Sequence, residues 1–159
     1  MKLKEVKVIV FDFNRTLFDP DSSKLIEGAL IVLDFFFKKF DLVLYSKKGE
    51  GRESLIFDLG LNKFFKKIIS VESKSADDLI QLTNEWNLKP ENFLIIGDRI
   101  KSEITAGKKA GFKTVWFKQG KFAFEEPSSP EEFPDFILSD LRNLINLFDW
   151  IVFSFFWTD

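Results

Sequence analysis

The feature that most constrains this chain is a repeated pairing. A short apolar run, rich in β-branched residues, is followed by a segment with helical spacing, and the pattern then starts again. Val6–Phe11 is the first such run. Leu42–Tyr45, Lys67–Val71, Phe93–Ile96, Lys113–Phe117 and Phe136–Leu138 follow. Runs of this kind, apolar on both faces, read as strands buried inside a parallel sheet. Strands that alternate with helices need right-handed crossovers, so the expected fold is α/β: a doubly wound, Rossmann-like parallel sheet flanked by helices.

The intervening segments carry helix chemistry. Apolar positions at 25, 29, 32, 33, 36, 37 and 40 predict a helix from Leu25 to Lys38-Lys39. A short helix is expected over Glu53–Leu59. Ser75 is expected to cap a helix running to about Trp86, with Asp77 and Asp78 in its first turn. Another helix follows Asp98 and is closed by Gly111. Residues 118–134 form a loop with three of the chain's five prolines, and Asp140 opens a last helix.

In such sheets a ligand binds beyond the carboxyl ends of the strands. Polar residues collect there: Asp12 after the first strand, Ser46 after the second, Lys74 shortly after the third and Asp98 after the fourth. A lone aspartate in such a place more often caps a turn, and a lone lysine is usually solvated. Four such residues at four successive strand ends reverse that expectation. Two neighbouring carboxylates repel unless a cation joins them, and Mg²⁺ is the usual partner in phosphate chemistry. A hydroxyl and an ammonium can hold phosphoryl oxygens.

Composition narrows the chemistry. The 159 residues include no cysteine and no histidine, which removes disulfides, thiolate metal sites and His-activated nucleophiles. A net charge of −2 argues against a dedicated nucleic-acid binder. The N-terminus lacks secretory-signal features and no stretch reaches transmembrane length, so the expected location is cytoplasmic.

The order of these residues resembles the haloacid dehalogenase superfamily. Its first motif, a strand followed by D-x-D-x-T-L, appears as VIVFDFNRTL, Val8–Leu17. Its second appears as LVLYS, Leu42–Ser46, and its third is best matched by Lys74. Its fourth appears as LIIGDRIKSE, Leu94–Glu103. The resemblance implies a Mg²⁺-dependent phosphatase in which Asp12 becomes an aspartyl-phosphate. It implies Asp12, Asp98 and the Asn14 carbonyl as metal ligands, supported by Glu103, with Ser46 and Lys74 holding phosphate.

Two positions depart from the family pattern. Glu103 stands where an Asp is usual. Asn14 stands where the phosphatases carry the Asp that protonates the leaving oxygen, and an amide transfers no proton. The alternatives are therefore a catalytically silent fold that binds phosphate or a partner and, further off, dehalogenase-type chemistry.

Neither the Asp12–Ser46 nor the Ser46–Lys74 interval has room for a cap domain, so the site is expected to be open to a small or macromolecular phosphorylated substrate. Arg15, Lys47, Lys48, Arg52, Arg99 and Lys101 would rim it with positive charge, Arg15 and Lys47 nearest the substrate. Residues 1–149 are expected to form the core domain. The apolar tail 150–159 suits a homo-oligomer interface, with fold-back or membrane-surface contact as the alternatives.

Overall fold

The computed structural model describes residues 3–148. Its centre is a six-stranded sheet in which every pairing is parallel. The strands are β1 (Val8–Asp12), β4 (Asp41–Lys47), β5 (Lys67–Val71), β6 (Phe93–Gly97), β7 (Lys113–Phe117) and β8 (Phe136–Leu138), in the spatial order β5-β4-β1-β6-β7-β8. A separate two-stranded antiparallel ribbon pairs β2 (Phe18–Asp19) with β3 (Lys24–Leu25). The helices are α1 (Ala29–Phe37), α2 (Arg52–Asp58), α3 (Ala76–Trp86) and α4 (Thr105–Ala110).

Alternation along β1 explains why the sheet is covered on both sides. Ile9 and Phe11 point into one core with Leu33 and Phe36 of α1 and with Leu141, Leu144 and Phe148 from the 3₁₀ turns of Leu141–Phe148. Val8 and Val10 point into the other, against Leu79 and Leu82 of α3 and Ala106 and Ala110 of α4. A strand buried on both faces has no polar face to offer, which is why these runs are apolar throughout. Each large side chain fully removed from water contributes roughly 1.5–3 kcal/mol.

Two expectations needed correction. The helix expected from Leu25 starts at Ala29, because Lys24 and Leu25 belong to the ribbon. Gly28 sets the boundary: its φ of +87° is left-handed backbone that glycine accepts without a Cβ penalty. The last helix expected after Asp140 is instead a 3₁₀ segment over its described part. Its Phe148 is fully buried between Phe36 and Phe40, with ring centroids 5.1 and 5.2 Å away. The tail 150–159 lies outside the described residues. No helix among the described residues is long and apolar enough to cross a membrane.

Register brings the site together. Asp12 lies level with Tyr45 of β4, so Ser46 is one step beyond it. Phe11 lies level with Ile96 of β6, so Gly97 and Asp98 extend past the same edge. The chain runs from β1 outward through β4 and β5, then returns to add β6 on the other side of β1. That reversal is the switch point where ligands sit in doubly wound sheets.

Candidate active site

At this switch point a crevice of about 240 Å³ opens between the loops. Asp12, Asp98 and Glu103 form its floor, all nearly excluded from solvent. Their carboxylate oxygens lie within 4.8 Å of one another. Lys74 is the counter-charge: its buried ammonium pairs with Asp12 and lies 2.6 Å from Glu103 Oε1. Thr16 Oγ1 donates to the other Asp12 oxygen at 3.0 Å. Thr16 was visible in the first motif, but its partner was not.

Local structure delivers each group. After Asp12 the chain turns tightly, with the amides of Leu17 and Phe18 returning to the Phe13 carbonyl at 2.9 and 3.1 Å. Arg15 takes a left-handed φ of 63° in this turn. The turn brings Thr16 back over Asp12.

Glu103 arrives by a different device, a π-helical turn over Ile100–Ile104 in which the Ile104 amide bonds to Arg99 O at 3.3 Å. Wide turns of this kind recur at functional sites. This one lays Glu103 along the backbone of Gly97, where a Cβ would come 2.5 Å from Glu103 Cγ. The glycine before Asp98 is thus required by close approach. Asp98 is held from behind by Trp116, whose Nε1 donates to its backbone carbonyl at 2.9 Å.

Lys74 precedes α3, and the start of that helix is tied to β4. The Ser75 amide donates to Asp78 at 3.1 Å and to the Tyr45 oxygen at 3.0 Å, while the Tyr45 hydroxyl bonds to Asp78. The Lys74 ammonium lies 5.1 Å from the Tyr45 ring centre.

The electrostatics of the floor are strained. Burial, and then repulsion from Asp12 and Glu103, pushes the Asp98 carboxyl up to about 9. Burial and Asp12 likewise raise Glu103. Burial opposes the charge on Lys74, but the two carboxylates it touches outweigh that and raise it. Asp98 Oδ2 is buried without a hydrogen-bond partner. An orphaned carboxylate oxygen costs several kcal/mol of lost solvation unless something replaces the water. A hard divalent cation takes oxygen ligands and cancels repulsion between acids, so these residues fit one.

The rim differs from its expected form. Arg15, Lys47, Arg52 and Arg99 do line the crevice, joined by Lys121 and Phe122 from the β7–β8 connection. That connection is distant in sequence and carries no motif, so nothing before folding pointed to it. Lys48 and Lys101 do not line the crevice. Lys48 faces Glu72 at 3.7 Å, and Lys101 is held by Glu132 at 2.7 Å. Asn14 lines the crevice beside Asp12.

Ser46 does not line the crevice and is only 1% exposed. Its hydroxyl donates to Lys47 O at 3.0 Å and accepts from Arg52 Nη1 at 2.6 Å. Arg52 is the group that meets the crevice there.

Comparison with known proteins agrees with this geometry. Residues 67–144 match the HAD-hydrolase-like family model. A glyceraldehyde 3-phosphate phosphatase of Pyrococcus furiosus is 31% identical over 99 residues, covering 59% of this chain and 41% of the relative. A haloacid dehalogenase-like hydrolase domain-containing protein of Arabidopsis thaliana is 24% identical over 135 residues, covering 81% of this chain and 48% of the relative. The chain thus spans less than half the length of these curated relatives. Among solved structures, the HAD-hydrolase YfnB of Bacillus subtilis, determined with magnesium bound, superposes with a TM-score of 0.78 at 16% identity. That superposition covers 92% of this chain and 100% of the other. Strand order and motif positions agree with this family match over residues 67–144, and the fold is that of haloacid dehalogenase-like hydrolases.

Proposed function

We propose that the chain is a Mg²⁺-dependent phosphomonoester hydrolase that works through an aspartyl-phosphate on Asp12. The observation that carries this reading is the floor of the crevice, where a buried carboxylate, a buried ammonium and an orphaned acid oxygen converge. The phosphatase and hydrolase names of the relatives support it.

Asp12 is the nucleophile because it stands at the end of the central strand with one oxygen oriented by Thr16. Lys74 holds it in place and is available to equatorial phosphoryl oxygens, where charge gathers during transfer. Asp12, Asp98 and the backbone carbonyl of Asn14, with Glu103 in support, would hold Mg²⁺, which would supply charge neutralisation between the anionic nucleophile and an anionic substrate. Arg52, bonded to Ser46, binds the substrate from the rim alongside Arg15 and Lys47. Asn14 orients groups by its amide but moves no proton, so turnover of ordinary esters is slow.

The test is hydrolysis of an aryl phosphate with and without Mg²⁺, set against Asp12→Asn. Metal-dependent turnover that vanishes in the variant is the expected result. Turnover that survives Asp12→Asn removes the reading. A second reading, a phosphate-binding module without turnover, rests on Asn14. It is favoured if phosphate binds and no ester is cleaved.

A further inference from the structure

The two ends of the crevice differ in what they can do with a proton. All of its carboxylates lie on the floor: Asp12, Asp98 and Glu103. Every ionisable group on the rim is a cation: Arg15, Lys47, Arg52, Arg99 and Lys121. The rest of the lining offers an amide, a hydroxyl or a phenyl ring. In phosphoryl transfer the attacking and leaving oxygens lie roughly in line across phosphorus. With Asp12 attacking from the floor, the leaving oxygen faces the rim. There it meets positive charge and, in Lys47 and Lys121, only weakly acidic ammonium groups, with no carboxylic acid or imidazole to protonate it.

We propose that the site is built for phosphoryl donors whose leaving group departs as a stable anion, acyl phosphates and phosphoanhydrides, with Arg52 as the rim residue that binds the phosphoryl group. This rests on the aspartyl-phosphate chemistry of the phosphatase reading above and moves its preferred substrates from ordinary phosphomonoesters to activated phosphoryl donors. The chemistry balances without an acid. An Asp12 oxygen bonds to phosphorus as the bond to the leaving oxygen breaks, and the electron pair departs on a carboxylate or a phosphate. Water then attacks phosphorus, Asp12 leaves as carboxylate, and both water hydrogens depart with dihydrogenphosphate. An aspartyl-phosphate is itself an acyl phosphate, so its formation from such donors is nearly an exchange of like for like. An alkyl ester must instead expel a strongly basic alkoxide.

Among the rim arginines, Arg52 is singled out by its partners. Arg15 and Arg99 are already paired, with Asp21 and Glu125, each at 2.9 Å. Arg52 has no carboxylate partner among the described residues. Its guanidinium lies 5.0 Å from the Phe13 ring centre and bonds to Ser46 Oγ at 2.6 Å and Lys47 O at 3.1 Å. Both bonds use Nη1, which leaves Nε and Nη2 for an anion. Burial works against its charge, and the attraction of Asp12 offsets that only in part.

The experiment measures kcat/KM of the full chain with Mg²⁺ on acetyl phosphate, inorganic pyrophosphate and glycerol phosphate, together with calorimetric binding of inorganic phosphate. The expected result is that acetyl phosphate or pyrophosphate exceeds glycerol phosphate by ~10²-fold or more, and that Asn14→Asp narrows the gap. Which of the two leads identifies the source. Arg52→Ala should weaken phosphate binding by about tenfold or more, with Arg52→Lys in between. Equal rates on all three donors, a gap that Asn14→Asp leaves unchanged, or unaltered phosphate binding in Arg52→Ala overturns the proposal. No turnover and no phosphate binding by the unmodified chain defeats the phosphatase reading itself.

Discussion

The floor and the rim line the same crevice and obey opposite rules. On the floor, Asp12, Asp98 and Glu103 crowd around a single ammonium, all nearly dry. On the rim the sign is reversed and the side chains are wetter; Arg99 is 38% exposed and paired to Glu125. Charge in a dry place is costly and well ordered, whereas charge in a wet place is cheap and screened. The floor is therefore a preorganised receptor for a cation, and the rim a loosely tuned attractor for an anion. Substitutions on the two should differ in size and in salt dependence.

The largest effect should come from Asp12→Asn. Removal of a nucleophile commonly costs on the order of 10⁴–10⁶-fold in turnover. Far-ultraviolet circular dichroism should show the fold retained, since Lys74 keeps Glu103. Residual turnover within tenfold of the original would place the chemistry elsewhere.

Asn14→Asp comes next and adds an acid at the junction of floor and rim. Glycerol phosphate turnover should rise by ~10²-fold. The unmodified protein should accumulate more acid-stable phosphoprotein than the variant in a rapid-quench assay, because its intermediate lacks help in hydrolysis.

A third expectation concerns pH and metal. Unfolded, Asp98 titrates near its ordinary 3.8; folded and metal-free, it is held up to about 9. Between those values the folded chain binds more protons than the unfolded one, so metal-free stability falls as pH rises through this window. The slope from this group is at most about 1.4 kcal/mol per pH unit. Mg²⁺ should therefore raise the melting temperature more at pH 8 than at pH 6. Asp98→Asn should raise the metal-free melting temperature and erase most of the Mg²⁺ increment. A melting temperature that climbs from pH 6 to pH 8 without metal would contradict the crowding.

The smallest effect belongs to the rim. Lys47 is exposed, so Lys47→Ala should raise KM by only ~2–5-fold, an effect that fades above about 0.5 M salt as screening shortens its reach. A large, salt-independent loss would mean that the rim is as ordered as the floor.

The reach of the sequence differs between these regions in the same way. The floor was readable because Asp12, Lys74 and Asp98 stand at or just beyond strand ends, and strands announce themselves by apolar runs. Position alone points to Asp12, Lys74 and Asp98, the family resemblance adds Glu103, and the four lie together in the structure. The rim was half readable. Arg52 stood in a list of six cations with nothing to separate it from Lys48 and Lys101, and Lys121 was missed. Loop side chains carry no period, and their direction depends on which neighbour captures them.

What the sequence determined by itself was the alternation of buried strands and helices, hence the parallel sheet and the edge where acids would gather. Those features depend on local periodicity and on burial of both sheet faces, which any stretch of chain reveals. Only the tertiary structure decided that Glu103 would lie against Gly97 through a π-turn, that Tyr45 would tie down the helix behind Lys74, and that Arg52 rather than Ser46 would meet the crevice. Each is a contact between residues separated by loops or turns. Such contacts are set by packing and by the satisfaction of buried polar groups, which have no sequence period to read.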